Sequence, residues 1–252
     1  MGPFNHLARI SGLKRPRGID GYLRRQVFRN LDVSNAAILD VGGGNGLISL
    51  WAVTEGDAGS ALVLEPGLDG SSKQMESQFN SMISILDPET RARLELSTQT
   101  IEQLDQATRK FDFVLFHNSI NHIDECSTQA LHSDPNAQAK YKEVFDRISD
   151  LMTESGHLII ADCSNRNAFG DLGLRNPVAP SINWGIHQPP EVWSKVALET
   201  GFTETDRLWT SRREFGRLGQ VVAGNRPVSY LLNSHFVLHF AKTGAPDPMQ
   251  DS

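Results

Sequence analysis

The sequence predicts an α/β protein built on a mostly parallel β-sheet, with helices on both faces and an antiparallel strand near its end. Two observations support this prediction. Five short apolar runs alternate with helix-like stretches through the first two thirds of the chain. In the last third, two more strand candidates follow each other with no helical pattern between them, and such a pair is expected to be antiparallel.

The elements follow from local patterns of apolar residues and turn signals. Helices are expected at 47–54 and 71–86, at 137–152, where the apolar residues fall on one face, and from Pro189 to the glycine at 201, because Pro is tolerated in a first turn and Gly past a helix end. The parallel strands are expected at 37–41, 61–64, 94–96, 111–116 and 157–161, and the last two strands at 205–209 and 235–241.

One domain is predicted for residues 1–242, since no repeat and no linker interrupts the pattern. Apolar residues at Ile19, Leu23, Val27 and Leu31 indicate a helix before the first strand, so residues 1–34 are expected to form an N-terminal helical lid segment. Residues 243–252, which are rich in Pro, Gly and Asp, are expected to form a disordered tail.

Charge and composition exclude several classes of protein. The chain has 24 Lys and Arg against 30 Asp and Glu, a net charge of −6, which disfavours diffuse binding to nucleic acid or to anionic membranes. No apolar run approaches the roughly 20 residues of a membrane span, and the N-terminus has no signal-peptide-like apolar stretch. Cys126 and Cys163 are too few for a disulfide framework and wrongly spaced for zinc. We therefore expect a cytoplasmic protein with no metal site, as a monomer or homodimer.

The most informative segment is a glycine-rich loop between the first strand and the next helix, Asp40-Val-Gly-Gly-Gly-Asn-Gly46. Glycines at such a turn let the backbone approach a ligand closely. The spacing is D-x-G-x-G-x-G rather than the dinucleotide fingerprint G-x-G-x-x-G, whose third glycine would fall on Leu47. Glu65 closes the next strand, where an acid can accept hydrogen bonds from both hydroxyls of an adenosine ribose.

Four segments together resemble the class I S-adenosylmethionine-dependent methyltransferases: ILDVGGGNG, LVLEPG, FDFVLFHNSINHIDE and GHLIIADCS. The resemblance covers roughly residues 20–242 in element order. It implies a Rossmann-like sheet of seven strands with an antiparallel last strand, which agrees with the pattern of elements. It also implies S-adenosylmethionine as the methyl donor.

By position, the resemblance places the loop glycines against the methionine and ribose parts of the cofactor and Glu65 on the ribose hydroxyls. Asp40 would organise the loop or bind the methionine ammonium through water. Thr100 stands where the family often has an acid near adenine, so Thr100 or Gln99 would hydrogen-bond adenine and Ile101 would pack on its face. The predicted cofactor contacts are Asp40, Gly42, Gly43, Gly44, Asn45, Gly46, Glu65, Pro66, Gln99, Thr100, Ile101, His117 and Asn118.

The acceptor is expected beyond the carboxyl ends of the fourth and fifth strands, where ligands of open α/β sheets bind. The fourth strand leads into a polar segment that contains His117, Asn121 and His122. His122, with Asp124 two residues on, matches a pattern frequent in the family, and it is either a base or a structural neighbour of the cofactor. Asp124 itself is expected to cap a helix.

A long polar loop follows the fifth strand and is expected to cover the pocket. His187 in this loop is a further candidate base. Arg166 or Arg175 would hold an acceptor carboxylate in bidentate fashion, with an ion-paired surface role as the alternative. Cys163 is expected to be a small buried hydrophobe. The candidate catalytic residues are His122, His117 and His187, and the candidate acceptor contacts are Asn121, Arg166, Arg175, Trp184 and His187.

The function that these features predict is methyl transfer from S-adenosylmethionine to a small-molecule acceptor by in-line displacement, with a histidine as general base. Histidines favour an O or N nucleophile, while S is also possible. One alternative is a nucleic-acid or protein methyltransferase; the basic residues between Arg9 and Arg29 favour the nucleic-acid form. Another alternative is a non-catalytic protein that binds the same cofactor on the same fold.

Overall fold

A computed structural model of the chain describes residues 3–13, 16, 18–29, 31–67, 74–177, 179–180, 182–210, 216–232 and 234–243. Within these residues, seven strands form one sheet in the order β3-β2-β1-β4-β5-β7-β6. Strand β7 is antiparallel to both of its neighbours, and all other pairs are parallel. The strands are β1 Ala37–Val41, β2 Ser60–Leu64, β3 Leu94–Ser97, β4 Phe111–His117, β5 Met152–Cys163, β6 Phe202–Trp209 and β7 His235–Lys242. The predicted fold class is confirmed.

Helices cover both faces of this sheet. The α-helices are α1 Pro3–Ile10, α2 Ile19–Tyr22, α3 Leu47–Thr54, α4 Met75–Ile83, α5 Pro88–Ala92, α6 Glu125–Ala130, α7 Pro135–Leu151, α8 Ala168–Asp171, α9 Pro190–Glu199, α10 Gly216–Ala223 and α11 Arg226–Leu232. Short 3₁₀ turns lie at Ile101–Gln103, Ile120–His122 and Trp184–Ile186. Among the described residues, no helix combines the length and apolar character needed to cross a membrane.

Each face of the sheet has its own apolar core. One core packs α1 to α4 on the sheet and contains Ile38 and Trp51; the other packs α7 and α9 and contains Leu39, Tyr141 and Trp193. Neighbouring residues of β1 thus point into opposite cores. This explains why the central strands are continuous apolar runs in the sequence rather than alternating ones.

Two parts of the secondary structure differ from the prediction. The expected helix before the first strand covers Ile19, Leu23 and Val27, but it begins after Gly18, which has a positive φ of 85°, and it changes from α2 to a π-helical turn at Leu23–Val27. The segment between β6 and β7 also contains α10 and α11, where no helix was expected. Val221 and Val222 on α10 are 81% and 67% exposed, so these two residues do not mark a buried face. The predicted tail beyond Thr243 and residues 71–73 lie outside the described residues.

Aromatic packing and two hydrogen bonds dock the N-terminal segment on the sheet. Phe28 stacks on Trp51 with ring centroids 5.1 Å apart and meets Phe113 edge-on. The indole Nε1 of Trp51 donates to Asp20 Oδ1 at 2.9 Å, and Nε2 of His239 on β7 donates to the carbonyl of Val27 at 2.8 Å. Together these contacts hold Tyr22 near the end of β4. A lid role for residues 1–34 stays a prediction.

The buried ring of Phe28 is expected to carry most of this docking. Phe28→Ala should lower the free energy of unfolding by about 3–5 kcal/mol, because a large cavity would remain between two rigid rings. Leu172→Ala is the control, since Leu172 is 72% exposed and should change stability by less than about 0.5 kcal/mol. Urea denaturation followed by tryptophan fluorescence measures both. Equal effects of the two substitutions would show that the segment is not anchored through Phe28.

Candidate functional site

The glycine loop between β1 and α3 has a backbone that other residues would strain. Gly42, Gly44 and Gly46 have φ values of 65°, 59° and 73°. A Cβ on Gly42 would lie 2.5 Å from Cβ of Ser119, and one on Gly46 would lie 2.7 Å from the ring of Phe79. Both the left-handed backbone and the close packing therefore require glycine.

Asp40 lies directly beneath this loop and is fully buried. Its Oδ2 accepts a hydrogen bond from the Ser49 hydroxyl at 2.9 Å, while Oδ1 has no hydrogen-bond partner in the described part of the chain. Burial raises the pKa of Asp40 to about 7, and the nearby negative charge of Glu65 contributes in the same direction. The loop therefore covers a carboxyl group whose Oδ1 can accept a further hydrogen bond.

Glu65 follows the last residue of β2 and joins this strand to the glycine loop. Its Oε2 accepts from the backbone N–H of Gly44 at 2.9 Å, and its Oε1 accepts from that of Gly67 at 3.3 Å. The backbone N–H of Gly42 donates to the carbonyl of Leu64 at 2.8 Å. The carboxylate is thus held at the mouth of the loop by backbone donors.

A cleft opens above the glycine loop at the carboxyl ends of β1, β2 and β4. Several predicted cofactor contacts line it, together with His122. Sequence reasoning missed others, including Met75, Glu102 and Ser119; the position of Ser119 beside Asn118 was a usable signal for it. The lining residues are Val41, Gly42, Gly44, Leu64, Glu65, Pro66, Met75, Gln99, Thr100, Ile101, Glu102, Asn118, Ser119, His122 and Ile123.

The remaining predicted cofactor residues do not line this cleft. Asp40, Gly43 and Gly46 lie beneath or behind the loop, where a Cβ on Gly43 would approach Asp40 Cγ to 2.6 Å. The side-chain amide of Asn45 points away from the cleft and donates to Ser11 O, just after α1, and to Gln78 Oε1 on α4, each at 3.0 Å. These residues shape the loop, and the cofactor assignments remain predictions.

Beside the cleft, five side chains form a hydrogen-bonded series that we call the edge network: Tyr22, His117, Asn118, Thr210 and His235. The Tyr22 hydroxyl lies 3.0 Å from His117 Nε2, and His117 Nδ1 lies 3.2 Å from Asn118 Nδ2. Asn118 Oδ1 lies 3.2 Å from His235 Nε2, and His235 Nδ1 lies 2.7 Å from the Thr210 hydroxyl. Of these residues, only His117 and Asn118 were predicted from the sequence, because the others come from distant segments.

Two further histidines are hydrogen-bonded to carboxylates. Nδ1 of His187 lies 2.9 Å from Oδ1 of Asp162, which is fully buried at the end of β5. Nδ1 of His122, in the cleft, lies 2.7 Å from Oε1 of Glu125. Donation from Nδ1–H to a carboxylate fixes the ring and leaves Nε2 as the proton-accepting atom. Asp124 caps α6 by accepting from the N–H of Ser127, so its expected capping role is confirmed.

The predicted acceptor contacts are scattered. Arg166 forms an exposed bidentate ion pair with Asp171 at 3.0–3.1 Å, and exposed Arg175 donates to the carbonyl of Pro180. Neither lines the cleft, and the pairing of Arg166 matches the alternative surface role. Trp184 is half-buried, with its ring 6.3 Å from that of His187, and Asn121 is fully buried. Neither side-chain polar atom of Asn121 has a partner among the described residues.

Cys163 is buried beside this region, as expected for a small hydrophobe. Burial raises the pKa of its thiol, and the adjacent Asp162 adds to the effect. A thiolate is therefore disfavoured at this position.

The comparisons with known proteins bear on the fold. No protein-family model matches the chain, and no curated protein matches it. Several solved structures do, including the pyocyanin biosynthetic protein PhzM, with a TM-score of 0.54 and 15% identity over 86% of this chain. The chain spans only 53% of PhzM.

Two other matches cover nearly the whole length of the matched protein. The N-methyltransferase NodS from Bradyrhizobium japonicum WM9 gives a TM-score of 0.54 at 12% identity, over 89% of this chain and 94% of NodS. A Listeria monocytogenes protein described as an S-adenosylmethionine-dependent methyltransferase gives 0.55 at 12%, over 84% of this chain and 93% of that protein. At such identities the likeness shows the fold alone. The chain has the Rossmann-like fold of class I S-adenosylmethionine-dependent methyltransferases.

Burying Asp40 is expected to lower the stability of the fold at alkaline pH. Its pKa is raised from 3.8 to about 7. The free energy of unfolding is therefore highest below pH 3.8, where Asp40 is protonated in both states, and it falls as the pH rises to about 7. Asp40→Asn keeps an acceptor for Ser49 and cannot ionise. It should raise the free energy of unfolding at pH 8, by at most about 4 kcal/mol, and the gain should shrink towards pH 4.

Urea denaturation of both proteins at pH 4, 6 and 8 measures this difference. A constant difference across the three pH values would contradict the prediction, since it would show that Asp40 is ionised in the folded state over this whole range, with a pKa close to that of the unfolded chain. Glu55→Gln, at the partly exposed C-cap of α3, is the control and should leave the pH profile unchanged.

Proposed function

We propose that this protein is an enzyme that transfers a methyl group from S-adenosylmethionine to a small-molecule acceptor. The observation that supports this most directly is the arrangement of the cleft. A left-handed glycine loop, a buried Asp40 beneath it and Glu65 at its mouth meet at the carboxyl edge of the sheet, where ligands of this kind of fold bind. The fold, shared with methyltransferases, supports the same proposal.

The side chains present fit the cofactor. Asp40 Oδ1 is a buried acceptor without a partner in the described ranges, and an ammonium group is the kind of ligand that stabilises such a carboxylate. Glu65 offers its carboxylate to the ribose hydroxyls, Gln99 and Thr100 offer polar groups to adenine, and Ile101 offers an apolar face. When bound, S-adenosylmethionine supplies an electrophilic methyl group on a sulfonium.

The protein's own contribution would be to align the acceptor and accept its proton. Alignment of this kind can supply on the order of 7–11 kcal/mol of the barrier. His122 and His187 each direct Nδ1 at a carboxylate, which leaves Nε2 as the acceptor atom for a proton from a hydroxyl, carboxyl or amine. We therefore favour an O or N nucleophile.

A small acceptor is preferred over nucleic acid because the net charge is −6. Of the basic N-terminal stretch that favours nucleic acid, Arg24 is paired with Asp20 at 3.3 Å, while Lys14, Arg15 and Arg17 lie outside the described residues. A cytoplasmic location and a monomeric or homodimeric state remain predictions from the sequence.

Calorimetry with S-adenosylmethionine, followed by a labelled-methyl screen against pooled phenols, amines, carboxylic acids and thiols, tests the proposal. Binding together with a labelled product is the expected result. A folded protein that does not bind S-adenosylmethionine would overturn the proposal, and binding without transfer to any pool would favour the non-catalytic alternative.

Removing the Glu65 carboxylate should weaken cofactor binding more than it affects folding. Glu65→Ala should reduce affinity for S-adenosylmethionine roughly 10- to 100-fold, because hydrogen bonds to a charged group contribute about 1.5–3 kcal/mol. Glu65→Gln, which keeps an acceptor for the Gly44 N–H, should give an intermediate loss. Glu95→Ala is the matched control, since Glu95 is exposed on β3 and pairs with Arg109. Unchanged affinity in folded Glu65→Ala would remove the ribose assignment.

Cofactor affinity should rise with pH between 5.5 and 7. Asp40, with a pKa of about 7, must lose its proton to bind an ammonium group, so affinity should increase by up to about tenfold per pH unit over this range. Calorimetry in two buffers of different ionisation heat detects the released proton. Asp40→Asn should bind more weakly and without this pH dependence. A wild-type affinity that is flat over the range would show that the Asp40 carboxylate does not contribute to cofactor binding, directly or through water.

A further inference from the structure

The edge network fixes the positions of protons as well as of side chains. Burial lowers the pKa of His235 to about 3, and its neighbours His117 and His187 add to the effect, so the His235 ring is neutral in ordinary buffers. A neutral imidazole has a single N–H. His235 Nε2 faces Oδ1 of Asn118, an atom that only accepts, so the N–H is on Nε2. His235 Nδ1 then accepts from the Thr210 hydroxyl.

The orientation of the Asn118 amide also determines which ring nitrogen of His117 carries the proton. With its oxygen on His235, it presents its Nδ2 donor to His117 Nδ1, which must therefore accept. The single N–H of His117 is then on Nε2 and donates to the Tyr22 hydroxyl. Asn118 holds this position through a positive φ of 55° and an N–H donated to the carbonyl of Ala161 at 2.7 Å.

The same arrangement disfavours a protonated His117. A second proton would have to sit on Nδ1, where it would face the donor group of Asn118. Relieving that contact requires the Asn118 amide to turn over, which would present its NH₂ group to the Nε2–H of His235. A reversal would therefore exchange the hydrogen bond between Asn118 and buried His235 for two donors that face each other, although Asn118 itself is exposed.

We infer that His235, acting through Asn118, is a positioning residue that holds His117 in its Nε2–H form as a hydrogen-bond donor to Tyr22. His117 is then not the general base of the reaction. This consequence rests on the proposed function, and it assigns proton abstraction to His122 or His187, whose rings are fixed in the opposite tautomer by carboxylates.

The tautomer of His117 can be measured without cofactor or acceptor, so the result does not depend on the proposed function. The probe is the full chain labelled with ¹⁵N-histidine, studied by long-range ¹H–¹⁵N correlation of the rings at neutral pH, with His117→Gln to assign the resonances. The expected result is one tautomer for His117, with Nε2 protonated and Nδ1 unprotonated. A protonated Nδ1, or averaging between both forms, would overturn the inference.

Two variants of His235 test its control over His117. His235→Gln retains an amide N–H donor for Asn118 and should preserve the single Nε2–H tautomer of His117, whereas His235→Phe removes the donor and should produce averaging. His157→Gln is the control, because His157 stacks on Phe113 outside the edge network. A folded His235→Phe protein with an unchanged His117 tautomer would overturn the role of His235.

Asn118→Gly serves if His235→Phe does not fold, since glycine adopts the positive φ at this position. It should also lose the single tautomer of His117, and retention of that tautomer would count against the inference. Once an acceptor is known, His117→Gln should keep the pH dependence of kcat of the wild type. Loss of the ascending limb of that profile would identify His117 as the base and overturn its assignment as a donor.

Discussion

The reversed direction of β7 is the constraint on which the candidate acceptor region depends. β7 pairs antiparallel with β5 and with β6, placing His235 opposite Cys163 and Phe236 opposite Trp209. Because the strand is reversed, its first residue lies at the carboxyl edge of its neighbours. His235 therefore lies near the ends of β4 and β6, where it contacts Asn118 and Thr210 and connects the two parts of the edge network. A parallel strand would have placed His235 at the opposite edge, away from His117.

The cleft above the glycine loop depends on a different constraint, the cost of a buried carboxyl group. A buried carboxyl group without a compensating charge disfavours folding at high pH, and Asp40 is of this kind. Gly43 can lie over Asp40 only because glycine has no Cβ, which would lie 2.6 Å from the carboxyl carbon. Ser49 donates to only one of the two Asp40 oxygens. The remaining oxygen lies next to the loop that a cationic ligand would approach. Such tension between stability and function is common at binding sites.

Features that rest on local patterns could be predicted from the sequence. The central strands, the glycine loop and Glu65 each depend on a few adjacent residues, and they form as expected. The π-helical turn before Phe28 could not be predicted, because the buried residues Ile19, Leu23 and Val27 have the i, i+4 spacing of an ordinary α-helix. The helix that carries Val221 and Val222 could not be predicted either, since both side chains are exposed and mark no buried face. His235 could not be predicted as a site residue either, since it lies 117 positions from its partner Asn118 and only the strand order brings them together.

The histidines near this edge differ by partner rather than by position in the chain. His187 and His122 face carboxylates through Nδ1, and a carboxylate accepts, so their Nε2 atoms are left to accept protons. The two histidines of the edge network hydrogen-bond to the neutral groups of Tyr22, Asn118 and Thr210, and the single amide of Asn118 holds both in the Nε2–H form. Environment thus divides one residue type between proton acceptors and hydrogen-bond donors.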